Sequence, residues 1–501
     1  MNIILAGYNL DYESIQSIGN ALPEIGELTP ETIAAAYARI SRNPRPVNEL
    51  RRLARAEVDK ARQSNRNIVF EMGHSSIAEH AIFNIDVLGV SRLLVEEIEK
   101  FRLCSYTEKS QRYVLLQDDF VIPEEIRKAG MEERFVAMIR RQNRFYHDLY
   151  GKLRPHVFER NPEMAADPRN QPMLEGWAKE DARYIIALAT ETQLGMTLNA
   201  RNLELMLRRL AAHPLAEAGL YSRKLYDATK DIAPSLIRYT DATEYDRLTR
   251  QALKEKAASL GADRPRPELL PEPESVVLYG ATPRADERIL ATLIHSSSRL
   301  SMAQCIEIVD KMNIHEKEDF IRAALRRLRA YDPVLREFEQ ADLHFELVVS
   351  AGCFAQLKRH RMATLTCQDY EPSLGVTLPP AVSAVGMDRA FMKIIEQSEA
   401  VYERIRAKAP AAAPYILTNA HRKRVSLKVN ARELYHMARL RADRHAQWDI
   451  RAVTVRMLAL AKAAMPLTLM LAAGKDGFES LYEEIFSGPF PRRGPSGSSG
   501  S

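Results

Sequence analysis

The chain has 501 residues, of which 46% are hydrophobic and 27% charged, with a formal net charge of +5. That length exceeds one ordinary domain core and calls for two or more, and the composition is that of a globular chain rather than a disordered or fibrous one. So mild a positive excess argues against a nucleic-acid duplex as partner, whereas knots such as Lys358-Arg359-His360-Arg361 and His421-Arg422-Lys423-Arg424 suit small phosphorylated ligands.

The N-terminal stretch has no basic leader and turns acidic at Asp11, so no signal peptide is expected. No apolar run approaches the roughly 20 residues of a membrane span. Cys104, Cys305, Cys353 and Cys367 form no C-x-x-C pair. This argues against a disulfide framework or a zinc site and fits a reducing cytoplasm.

The first motif is Gly73-His74-Ser75-Ser76-Ile77-Ala78-Glu79-His80. Ser75 with Glu79 reads as an imperfect helix cap. His74 and His80, six apart, fall on poorly matched helix faces, so no metal is expected. Next comes Ala81–Arg102, where Phe83, Ile85 and Val87 alternate as on a strand before Leu94, Ile98 and Phe101 take helical spacing. Glu108, Ser110 and Arg112 then alternate, and an extended segment would put all three on one side. An arginine fork and a serine hydroxyl there would make an anion nest, although alone the pattern fits a solvated edge strand better.

Gly261–Glu274 holds four prolines and no hydrophobic period, which reads as a stiff linker. Beyond it the chain repeats itself. Gln340–Arg361 aligns without gaps to Ala81–Arg102 at an offset of 259, and Val429-Asn430-Ala431-Arg432 matches Leu198-Asn199-Ala200-Arg201 at 231. Leu343, Phe345 and Leu347 repeat the strand alternation. Repetition in fixed order is the signature of duplication. Ile321–Tyr331, Phe391–Lys408 and Arg432–Ala464 have helical periods, each followed by a proline stop. On the last, Arg441 and His445 would share one face at i, i+4. The Gly/Ser/Pro-rich tail from Ser487 is expected to lack structure. The chain therefore divides into residues 1–255, a linker at 256–275, 276–486, and a tail at 487–501. The fold class is α+β: two homologous helix-rich domains in tandem, each with a small antiparallel sheet.

The order G-H-x-S-x-x-E-H, strand, helix, R-H-R-x-x-S-x-N-E-x-S-x-R-Y, then T-x-N-A-R and L-R-A-D-x-H-A-Q-W-E-I resembles the flavin-dependent thymidylate synthases and covers most of both halves. The resemblance implies methylation of dUMP to dTMP with methylenetetrahydrofolate as carbon donor, FAD as redox carrier and NADPH as reductant. It implies domains of the thymidylate-synthase-complementing type. A homodimer of tandem chains would mimic the family's tetramer, in the cytoplasm and without membrane attachment. No protein nucleophile is implied, so Ser110 would be a ligand.

Carried over, the two halves have decayed in complementary ways. The first keeps His74, Ser76 and Glu79 on the flavin side and Glu108, Ser110, Arg112 and Arg183 for dUMP. It has Lys100-Phe101-Arg102 for Arg-His-Arg, Glu97 for a glutamine, and Leu210 and Pro214 for a later arginine and histidine. The second keeps Gln356, Arg359, His360, Arg361, Asn430, Arg432, Arg441 and His445, but Asp332-Pro333 replaces Gly-His. There Cys367, Asp369 and Glu371 replace Glu-Ser-Arg, and Pro414 stands in the place of Arg183. Thr107 and Thr364 depart from the usual Asn and Ser.

The pooled halves make one set. Gln356, Arg359, Glu108, Ser110, Arg112, Arg183 and Arg441 would hold the substrate, with Arg441, His74 and His360 nearest the chemistry. Ser41, His74, Ser76, Glu79, Glu108, Arg359, His360, Arg361, Asn430, Arg432, His436, Leu440 and His445 would hold cofactor. The site is expected to be shared between the halves, and the reverse pairing, with Glu371 against phosphate, to be dead. The competing reading is a family-derived pseudoenzyme that binds nucleotide and regulates without turnover.

Overall fold

The structure, a computed structural model, describes residues 1–11, 14–15, 29–40, 43–261 and 275–490. It forms two compact units, Met1–Pro267 with Leu378–Asn419, and Glu268–Thr377 with Ala420–Ser501. The second sequence half therefore gives 378–419 to the first unit. No helix among the described residues is long and apolar enough to cross a membrane.

The first unit carries four antiparallel strands, β1 (Asn2–Tyr8), β2 (Ile82–Ser91), β3 (Ser105–Glu108) and β4 (Glu191–Asn199), in the order β1-β2-β4-β3. Alternation decides which face is buried. Phe83, Ile85 and Val87 pair with Leu198, Met196 and Leu194, and all six are buried. On the other face Asn84 bonds Thr197. A bulge sits at Gly89, whose φ of +70° suits glycine; a Cβ there would lie 3.0 Å from the Met1 nitrogen.

The second unit repeats this frame with β5 (Val276–Ala281), β6 (Asp342–Ser350), β7 (Thr364–Cys367) and β8 (Arg422–Asn430), ordered β5-β6-β8-β7. Leu343, Phe345 and Leu347 pair with Val429, Leu427 and Val425 in the core.

Each central strand runs into a helix capped by its own last residue. Ser91 caps Arg92–Ile98, Asn199 caps Ala200–Ala211, Ser350 caps Ala351–Leu357 and Asn430 caps Ala431–Arg441. The serine caps have a second task. Ser91 Oγ donates to Glu217 at 2.7 Å, and Ser350 Oγ donates to Asp449 at 2.6 Å, tying each strand end to a later helix. Tyr415 OH donates to the same Glu217 at 2.6 Å. Burial raises the Glu217 pKa against those hydrogen bonds.

Residues 378–419 pack inside the first unit. The Asp388–Arg406 helix meets Glu132–Arg160 through Phe391 and Phe145, whose ring centroids are 6.4 Å apart. Gln142 donates to Ser398 Oγ at 2.8 Å and to the Ile416 carbonyl at 3.0 Å.

Several expectations change. The Ile321–Tyr331 period belongs to a helix, Ile314–Leu325, that stops earlier. Arg432–Ala464 is two helices, Ala431–Arg441 and Trp448–Ala464. They are broken where the Asp443 carboxylate accepts the backbone N–H groups of His445 and Asp476 and Gln447 caps the next helix. The first-copy helix ends at Ile98, short of Phe101. The segment assigned to the linker begins as helix, Glu244–Ser259, and 262–274 lies outside the described residues. In the tail, Phe490 packs its ring on Phe478 and Tyr482, because an apolar ring there finds an apolar face; 491–501 lies outside the described residues.

Candidate anion-binding site in the first unit and arginine–histidine cluster in the second

In the first unit β3 ends at Glu108, and 111–113 form a turn, so Glu108, Ser110 and Arg112 do not alternate along one extended edge. The turn closes where the Arg112 N–H donates to Ser110 Oγ at 3.2 Å. The buried Glu108 carboxylate accepts from Arg92, the first residue of its helix. Arg112 Nε donates to Glu180 at 2.5 Å.

Arg183 follows Glu180 by one helical turn, at the end of the Gln171–Ala182 helix, and is 4% exposed. Its Nε and Nη2 have no hydrogen-bond partner among the described residues. Burial lowers its pKa, Glu180 opposes this, and Arg112 and Arg92 reinforce it. A guanidinium stays protonated at neutral pH even so. Of these three arginines, Arg92 and Arg112 bond Glu108 and Glu180, and Arg183, the most deeply buried, is the one with two donor atoms that lack a partner among the described residues. Leaving charged donors bare in the interior costs several kcal/mol, on the order of a lost charged hydrogen bond or more. Such donors are of the kind an oxyanion satisfies.

Gln111, between Ser110 and Arg112, is likewise buried. Its Oε1 accepts from Asn419 Nδ2 at 3.1 Å, and the same Asn419 amide donates to the Arg183 carbonyl at 2.9 Å.

The Gly73–His80 motif forms a turn and a 3-10 helix, Ser75–His80, preceded by His74 and without a side-chain cap; the reading of Ser75 as a cap with Glu79 fails, since Glu79 accepts from Arg201 at 2.5 Å. His74 and Ser76 are exposed. Ser41 lies outside the described residues.

In the second unit His360 is 4% exposed, and its Nε2 accepts from Arg441 Nε at 3.0 Å. Nδ1 faces Glu433 at 3.4 Å. An acceptor at Nε2 assigns the proton of the neutral ring to Nδ1. Burial lowers the His360 pKa; Glu433 opposes, while Arg441 and His436 reinforce. Arg441 also reaches the Gln356 carbonyl at 3.5 Å, and Gln356 Nε2 donates to Gln447 at 3.2 Å.

His360, Glu433 and His436 hold their ligand-type atoms within 4.8 Å of one another. The arginine N–H on His360 Nε2 makes this a hydrogen-bonded cluster with a cation already against it. Arg359 is exposed and Arg361 half-buried, and Leu440 lies one residue before Arg441.

The remaining second-half residues have structural tasks. Asn430 caps its helix, and Arg432 holds Glu339 at 2.8 Å and the Val334 carbonyl at 2.9 Å. Arg201 and Arg432 therefore do one job twice, each tying its helix to a glutamate of the preceding 3-10 turn. His445 sits in the break between helices with Nδ1 2.8 Å from Asp443, so it shares no helix face with Arg441. Glu371, in the place of an anion-binding arginine, caps a 3-10 turn at Ser373.

Sequence reading missed Arg92, Gln111, Glu180, Asn419 and Glu433. Glu180 was detectable as an acid one turn before Arg183; Arg92 and Asn419 carry no local signal.

The fold is an α+β domain with a four-stranded antiparallel sheet, present twice, and its first copy holds an arginine cluster with donors to spare for an anion. The chain belongs to the thymidylate synthase complementing protein family, whose model matches residues 25–235 and again 278–467. It is 25% identical over 443 residues to UPF0159 protein Ta1429 of Thermoplasma acidophilum, covering 80% of this chain and 86% of that one. It is 30% identical over 215 residues to a flavin-dependent thymidylate synthase of Clostridium tetani, 42% of this chain and 82% of that protein. Among solved structures, a flavin-dependent thymidylate synthase from Helicobacter pylori complexed with FAD and dUMP aligns at 16% identity and TM-score 0.32, covering 48% of this chain and all of that one.

Proposed function

We propose that this chain methylates dUMP to dTMP, with methylenetetrahydrofolate as carbon donor and NADPH as reductant. The observation that carries the reading is Arg183, a buried guanidinium with two bare donor atoms beside Arg92 and Arg112. Arg183, Arg112 and Ser110 take the phosphate, whose dianion neutralises the surplus charge. Arg441, held by the bare nitrogen of His360, is the cation that stabilises negative charge developing on the pyrimidine carbonyls.

The exposed His74, Ser76 and Arg359 would hold FAD; Glu79, Asn430 and Arg432, which have partners inside the protein, would shape the surface around them. FAD when bound supplies the electron transfer, and the protein supplies position and charge. Two chains would assemble to give the family's four domains.

The test is dUMP-dependent NADPH oxidation and thymidylate formation by Arg112→Ala and Arg441→Ala. Each should lose about 100-fold or more in kcat/KM, the scale of removing one charged ligand from a polar site. Wild-type turnover in either variant ends the proposal. Because Glu108 and Arg112 already have carboxylate–arginine partners, a nucleotide-binding protein without turnover is the second reading. Protein that binds dUMP, stays colourless and cannot be reconstituted with FAD would establish it.

A further inference from the structure

Gln111 Nε2 and Thr192 Oγ1 are, like Arg183 Nε and Nη2, among the buried polar atoms of the first unit that lack a partner among the described residues. Thr192 is a buried residue of β4, two positions before Leu194, which pairs with Glu108 at the end of β3. The Lys109 N–H continues that ladder onto the carbonyl of Gln193, the residue after Thr192, at 2.9 Å. The four atoms singled out are Nε and Nη2 of an arginine, an amide nitrogen and a hydroxyl. All four can donate, and donors of this kind suit a phosphate monoester.

Gln111 is not free to turn. Its oxygen is taken by Asn419 Nδ2, which by elimination leaves the NH2 end bare, and Asn419 is itself fixed by its second N–H on the Arg183 carbonyl. Asn419 belongs to the second sequence repeat but lies within the first compact unit.

The second unit shows the same place closed. At the two repeat offsets, Gln111 corresponds to Tyr370, Thr192 to Lys423 and Val95 to Phe354. There the Lys423 ammonium lies 4.1 Å from the Tyr370 ring centre and 4.4 Å from that of Phe354, with all three side chains buried. A cation between two rings satisfies itself and fills the space. Two of the corresponding positions of the first copy, Gln111 and Thr192, carry polar atoms that lack a partner among the described residues.

We infer that Gln111 is a further phosphate ligand, that Asn419 is the positioning residue that aims it, and that each chain takes one phosphomonoester, in its first unit only. The inference rests on the proposed reading of Arg183 as an anion site and adds a residue from each repeat to it.

Calorimetric titration of the full-length protein with dUMP, and separately with deoxyuridine, tests it. Gln111→Leu, close in shape, should weaken dUMP by about 10-fold or more, the worth of a hydrogen bond to a charged group, and leave deoxyuridine unchanged. Asn419→Ala should weaken dUMP similarly, and the double variant no more than either single one, because Asn419 acts through Gln111. Stoichiometry should be one dUMP per chain. Wild-type dUMP affinity in Gln111→Leu, or two sites per chain, overturns the inference. Arg183→Met separates the two levels: if it abolishes dUMP binding while Gln111→Leu does not weaken it, the anion site stands and Gln111 is no part of it. If Arg183→Met binds dUMP normally, the anion-site reading itself falls. Should Asn419→Ala fail to fold, Gln111→Leu and the stoichiometry decide.

Discussion

Arg183 sets function against stability. Its charge is buried and two of its donors lack a partner among the described residues, so the folded protein bears a desolvation cost that an anionic ligand would offset. Replacing it with methionine should raise the thermal midpoint of ligand-free protein while removing the stabilisation that millimolar dUMP gives the wild type; calorimetric scans with and without dUMP read both. His360 makes a pH prediction. Its folded pKa lies below that of the unfolded chain, chiefly through burial, so the neutral ring contributes stability that is fully present above the unfolded value near 6.5. That contribution is lost as pH falls through the lowered folded value, when a proton on Nε2 would expel Arg441. Wild type should lose more unfolding free energy between pH 7 and pH 5 than His360→Gln, measured by urea titration at each pH. Equal losses would show that the ring does not titrate in this way. Residue types and the Ser-x-Arg spacing of the turn were legible from the chain. The pairing of Arg112 with Glu180, 68 positions away, was not, because side-chain partners are chosen by packing.

At the scale of elements, the strand-to-helix joints hold each repeat together. Ser350 caps one helix and gives its proton to the buried Asp449 of another. Ser350→Ala should cost about 2–3 kcal/mol in chemical denaturation, the loss of a cap plus a buried carboxylate left short of one hydrogen bond. A cost under about 0.5 kcal/mol would mean that the joint is not a fixed point. Phe83-x-Ile85-x-Val87 and Leu343-x-Phe345-x-Leu347 announced these strands, since period-two alternation follows from the pleat itself. The break between Arg441 and Trp448 was hidden. Its apolar period continues through, and what interrupts it is an Asp443 carboxylate satisfied partly by Asp476, more than thirty residues on.

At the scale of the molecule, 378–419 is the part that no halving of the chain respects. It supplies the first unit with Phe391 against Phe145, with Ser398 and Ile416 for the buried Gln142, and with the Leu417 carbonyl for the Leu188 N–H. A fragment ending at Gly261 would bury none of these groups. Expressed alone it should aggregate or stay unfolded by circular dichroism and gel filtration; a soluble, cooperatively unfolding fragment would show that the segment is dispensable.

The chain alone determined that the domain occurs twice, where one central strand of each copy runs, and which residue types each copy kept, because duplication and alternation are written in local order. Only the tertiary structure decided that Arg92 and Arg112 are spent on carboxylates while Arg183 keeps donors without a partner among the described residues, and that a piece of the second copy lies in the first compact unit. Charge balance and backbone pairing depend on groups brought together from distant positions, and no local spacing records those meetings.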